Sequence, residues 1–144
     1  MTKTILCAVD INRPDEEKDV LNTAAKLARM DNAQLDVITV VPDFGMTVVG
    51  AYFQDHHIKS AKNDASDLLK AMTKDVLGPD QDTDVRHIVA MGSVYEEVLR
   101  AAKLSNTDLI VIGAHRPDLK DYLLGPNAAR VVRHSKCSVY VVRH

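Results

Sequence analysis

Gly113, Gly125, Pro126 and Asn127 are the residues whose types and spacing point to chemistry, and that chemistry is anion binding. An apolar run, Leu109-Ile110-Val111-Ile112, stops at Gly113, and after a polar loop the chain resumes at Gly125-Pro126-Asn127-Ala128 as a helix start. In open α/β sheets ligands settle beyond the carboxyl ends of the strands, and the free N–H groups that open a following helix attract phosphate. Gly113 permits close backbone approach to a ligand or a turn. Gly125 before Pro126 reads as an N-cap followed by the first helical residue. A turn-forming role alone also accounts for both glycines, because the lysine of a phosphate loop is missing.

Other polar groups carry less. His115, Arg116, Asp118 and Asp121 share the same loop, yet spacing pairs no general base with a nucleophile or a metal site. The loop reads as a polar segment with one phosphate-facing arginine and no catalytic residue. Asp55-His56-His57 lacks a second ligand pair at zinc-like spacing and is read as a solvent-exposed helix start. Arg130, Arg133 and His134 fall at a helix C-terminus, where cations complement the dipole.

The elements that must position these residues are legible from periodicity. The 144 residues suit one domain, 1–144, and 46% hydrophobic with 26% charged residues is ordinary for a globular chain. A net charge of −2 provides no field for nucleic acid or anionic lipid. Cys7 and Cys137 lie in or beside apolar runs and suit reduced thiols. With no apolar stretch of spanning length and no leader-like start, the expectation is a cytoplasmic protein without membrane insertion.

Short apolar runs over 4–9, 35–41, 85–91, 109–112 and 138–143 read as strands, the third being polar enough, through Arg86 and His87, for a sheet edge. Helical spacing predicts helices over 14–30, from 58 to the Gly78-Pro79 break, over 94–104 and over 126–134. Ser93 and Glu96 are expected to form a capping box. Residues 44–53, which hold both phenylalanines, show no periodicity and read as a packing or interface loop. Strict alternation demands a five-stranded parallel sheet flanked by four helices on both faces. The switch point should fall between the first and fourth strands, with Asp10 and Gly113 on either side of one crevice.

Ile5-Leu6-Cys7-Ala8-Val9-Asp10, Gly113-Ala114-His115-Arg116, Leu123-Leu124-Gly125-Pro126-Asn127-Ala128 and Val139-Tyr140-Val141-Val142-Arg143 together resemble the universal stress protein (UspA-like) family over the whole chain. The resemblance implies an adenine nucleotide alpha hydrolase-like fold with strand order 3-2-1-4-5. It also implies a site for ATP, with AMP or ADP as alternatives and Mg2+ accompanying the phosphates. Carried over by position, Asp10 and Ile11 would lie beside the ribose and the Val40 backbone near the adenine, with Ala8 and Val9 also among the nucleotide-binding residues. Ile112 and Gly113 would border the nucleotide, Gly125, Pro126, Asn127 and Ala128 would cradle phosphates, and His115 and Arg116 are also among the nucleotide-binding residues.

The family's nucleotide motif is Gly, two residues, Gly, nine residues, Gly, then Ser or Thr. Here Arg116 replaces the second glycine, the following spacing is one residue short, and Pro126 replaces the hydroxyl residue, which also removes an N–H donor. The Gly-Ala-His-Arg-Pro and Leu-Leu-Gly-Pro-Asn variant is similar to a subgroup of the family. Phosphate would then rest on the N–H groups of Asn127 and Ala128, the Asn127 amide and the Arg116 guanidinium. The resemblance implies a regulatory module, at most a slow ATP hydrolase, acting on an unidentified protein such as a membrane transporter; a dimeric scaffold without nucleotide is the alternative. The apolar last strand would be an open edge unless paired with its symmetry mate, so a homodimer through Val139 and Val141 is expected.

Overall fold

Strands without a solvent face must be covered on both sides, and this sheet is built from them. The computed structural model describes residues 3–42, 51–114 and 126–143, with residues 51–58 described through their backbone only. Its strands are β1 (Thr4–Ala8), β2 (Gln34–Pro42), β3 (Arg86–Gly92), β4 (Leu109–Gly113) and β5 (Ser138–Val142). All neighbours run parallel in the order β3-β2-β1-β4-β5, as the alternation of the sequence required. β1 is buried at every position and occupies the centre. The helices are α1 (Pro14–Asp31), α2 (Ala51–Leu77), α3 (Pro79–Asp82), α4 (Val94–Leu104) and α5 (Pro126–His134).

The two-residue period of the strands divides the core in two. Ile5, Cys7 and Val9 pack with Val20, Leu21 and Ala24 of α1 and with Leu69 and Met72 of α2. Leu6 and Ala8 point the other way, to Val98 and Ala102 of α4 and Ala128 and Val131 of α5. α1 begins at a proline with Asp15, Glu16 and Glu17 in its first turn, where the dipole favours acids. It ends at Asn32, whose left-handed backbone turns its N–H onto the carbonyls of Ala28 and Arg29.

The structure corrects three local expectations. A fifth, one-turn helix, α3, follows Gly78, whose φ of +86° is the left-handed conformation glycine tolerates. Pro79 and two acids then restart a helix where a plain turn was expected. Ala51, Tyr52 and Phe53, read as loop, belong to α2; after Gly50 no Gly or Pro interrupts propagation, and the rest of that expected loop, 44–50, lies outside the described residues. Ser93 does stand at the N-cap of α4 in extended conformation, but its side chain makes no capping bond. The Glu96 carboxylate instead accepts a bond from the Tyr95 hydroxyl at 3.2 Å, so the capping box is not formed.

β3 is an edge strand, as its polarity implied, and its polar residues are tied down. Arg86 donates two bonds, of 2.9 and 2.8 Å, to the fully buried carboxylate of Asp36 on β2. On the other face His87 Nε2 lies 2.8 Å from Thr73 Oγ1 of α2 and 3.0 Å from Asp82 Oδ1 of α3. Among the described residues no helix is long and apolar enough to cross a membrane.

Candidate nucleotide site

β1 and β4 are neighbours whose following helices, α1 and α5, lie on opposite faces, so the chain leaves a crevice beyond their carboxyl ends. A cavity of about 240 Å³ occupies it, extending over the end of β2 and reaching α4 and the first turn of α5. Of the residues assigned to a nucleotide in the sequence, Ala8, Val9, Asp10, Val40, Ile112, Gly113, Pro126, Asn127 and Ala128 all line it. Ile11 does not; its side chain packs against the α1 and α2 core, because the chain leaving β1 has already turned toward α1. His115, Arg116 and Gly125, with Asp118 and Asp121, lie outside the described residues.

Each wall has a local cause. β1 pairing with β2 closes at Ala8 and Ile38, with one further bond from the Val9 N–H to the Ile38 carbonyl, so Val40, paired with Ala90 of β3, stands beyond the end of β1. α5 begins at Pro126, as expected, and its first turn carries Asn127, half-buried, and Ala128, buried. The N–H groups of a first helical turn have no intrahelical partner, the general feature by which a helix start can receive an anion. Asp10 Oδ1 accepts the Asn12 N–H at 2.9 Å, fixing the turn between β1 and α1, and Arg13 reaches Asp10 at 3.9 Å and Glu16 at 3.5 Å.

Gly113 has a role that its sequence context did not show. Its φ is not in the left-handed region; instead a Cβ there would stand 2.9 Å from Val20 Cγ2 and 3.3 Å from Glu17 Oε2. Its missing side chain makes room for α1.

Glu17 was missed altogether. Its Oε1 accepts the Asp10 N–H at 2.8 Å while its Oε2 lies beside Gly113, so one carboxyl joins the ends of the two strands that open the crevice. Burial pushes it up to about 7, with the charges of Asp10 and Glu16 adding to the rise and the Asp10 N–H bond and Arg13 opposing it. Burial, with Glu17 nearby, also pushes the Cys7 thiol far up and keeps it neutral. A signal did exist: Glu17 precedes Val20, Leu21, Ala24 and Ala28 on the core-facing stripe of α1, where a carboxylate is out of place.

An open parallel sheet with helices on both faces and a crevice at its switch point defines a doubly wound α/β domain. The model of the universal stress protein family matches residues 1–143, and the chain belongs to that family. Universal stress protein G of Escherichia coli O157:H7 is 28% identical over 150 residues, covering 99% of this chain and 100% of its own. The fold matches universal stress protein UspA from Lactobacillus plantarum with a TM-score of 0.79 at 23% identity, covering 98% and 97% of the two chains. It also matches a universal stress protein in complex with cAMP, with a TM-score of 0.62 at 23% identity over 97% and 95%. The same TM-score of 0.62 relates it, at 18% identity over 96% of each chain, to the universal stress protein from Archaeoglobus fulgidus in complex with dAMP. At these identities the solved structures show the fold alone.

Proposed function

We propose that this chain is a cytoplasmic regulatory module that binds ATP or another adenine nucleotide in the crevice between β1 and β4 and signals through a homodimer. One observation carries the reading: a cavity of about 240 Å³ at the switch point is lined by nine of the residues assigned to the nucleotide and closed by the first turn of α5. Fold relatives holding cAMP and dAMP support it. The adenine and ribose fit the apolar walls from β2, β4 and α4, and the phosphates fit the N–H groups of Asn127 and Ala128. In this reading ligand occupancy rather than turnover is the signal.

The test is calorimetric titration with ATP, ADP and AMP, with and without magnesium, beside mass spectrometry for nucleotide retained through purification. Binding is expected, and Asn127→Asp, which sets a carboxylate against the phosphates at the start of α5, should weaken ATP on the order of tenfold. No binding and no retained nucleotide would leave the second reading, a dimeric scaffold acting through protein contacts. That reading draws on Pro126, which removes one N–H from the phosphate end.

The dimer is proposed through the outer edge of β5, which among the described residues has β4 as its one strand partner. Val139 and Val141 are half-buried against the α4 and α5 core, while Tyr140 stands 46% exposed on the other face. Edge pairing with a second copy would cover this strand. Val141→Lys is expected to shift the protein toward monomer in sedimentation equilibrium; an undisturbed dimer would discard the interface.

A further inference from the structure

Resting on the nucleotide reading of the crevice, we propose that Glu17 sets the charge selectivity of the site. Fixed between the ends of β1 and β4, its carboxylate disfavours each added phosphate, so the site takes an adenine nucleoside or monophosphate in preference to a metal-free triphosphate.

The carboxyl lines the cavity and is held in place, one oxygen on the Asp10 N–H at 2.8 Å and the other against Gly113. Leaving the crevice would break that bond. Among the described residues the charged side chains around it are Asp10, Glu16 and Arg13, and Arg13 is already shared between the two acids. Behind it, on β1, the Cys7 thiol is buried and neutral. Among the described residues the other walls bring no charge: β2 offers Ile38 and Val40, α4 offers Val94, β4 offers Ile112, and α5 offers Asn127. Among the described residues the cavity therefore presents three carboxyl groups and one guanidinium. In a partly enclosed site such charges act on a ligand through a lower dielectric than bulk water.

The selectivity has a pH profile. Glu17 is held up at about 7, so its charge is mostly absent at pH 6 and mostly present at pH 8. Phosphate-bearing ligands feel that change. A neutral nucleoside does not.

The experiment titrates the full chain and its Glu17→Gln variant with adenosine, AMP and magnesium-free ATP at pH 6 and pH 8. Glutamine keeps an oxygen for the Asp10 N–H, so the fold is retained. At pH 8 the variant is expected to bind ATP on the order of tenfold more tightly than the native chain, AMP a few-fold more tightly and adenosine equally. At pH 6 all three ratios should fall toward one. A gain of the same size for all three ligands would make Glu17 a matter of pocket shape and overturn the inference, as would no gain at all. If none of the three binds either protein at either pH, the nucleotide reading itself falls, a result distinct from binding without discrimination.

Discussion

Glu17→Gln is expected to stabilise the protein by about 3 kcal/mol at pH 8 and to leave it nearly unchanged near pH 4.5. The carboxyl is raised from 4.5 to about 7 in the folded chain, mainly by burial. At about 1.4 kcal/mol for each pH unit, ionised Glu17 costs the fold about 3 kcal/mol relative to its protonated form. The sign follows from proton uptake. Below pH 4.5 both folded and unfolded chains carry the proton, and the carboxyl adds no pH dependence. Between 4.5 and 7 the unfolded chain has lost its proton and the folded chain has kept it, so stability falls as pH rises. Above 7 both are ionised and the loss is complete. Urea unfolding of both proteins across pH 4.5 to 8 isolates this contribution, because every other titrating group is common to the two. Parallel stability curves would show that Glu17 ionises as freely in the fold as in the unfolded chain.

Gly113→Val is expected to destabilise the domain by about 3 kcal/mol. The first added atom would stand 2.9 Å from Val20 Cγ2, inside van der Waals contact, and 3.3 Å from Glu17 Oε2. Val20 is fully buried and β-branched, so it has no free rotamer to retreat into, and relief requires α1 to move off β4. For a domain of this size the melting temperature should fall by roughly 8 °C. Val20→Ala opens space at the same contact, so the double variant should recover part of the loss beyond additivity. Strict additivity would place the strain elsewhere. Because the clash is with α1, any loss of ligand binding in Gly113→Val reports a displaced helix as well as a crowded crevice.

These effects share an origin in how α1 meets the ends of β1 and β4. The helix brings an acid into a position that its own apolar stripe reserves for the core, and Gly113 gives up its side chain to let the helix approach. A site that holds a costly carboxyl against its strand ends departs from the most stable sequence for the fold, a departure that is common where ligands bind.

What the sequence by itself determined follows from information carried within a turn or a strand. Buried runs such as Ile5-Leu6-Cys7 and the stripe Val20, Leu21, Ala24 and Ala28 specify strand and helix through periods of two and 3.6 residues, and their alternation leaves little choice but a parallel sheet. The switch point followed, and with it Asp10, Val40, Ile112, Gly113, Asn127 and Ala128 around one cavity. Tertiary structure alone decided what depends on packing and register between distant segments. Arg86 meets Asp36 across 50 residues because β2 and β3 pair in one register, and a slip of one residue would separate them. His87 finds Thr73 and Asp82 because α3, a single turn too short to show a period, sets Asp82 beside β3. The Ile11 side chain packs against the core rather than lining the cavity, and Ser93 capped by position without bonding, since one residue's rotamer is set by neighbours that local pattern does not contain. Glu17 belongs to the same class: its place on α1 was readable, but its contact with both strand ends exists because the sheet sets β1 beside β4, a hundred residues apart in the chain.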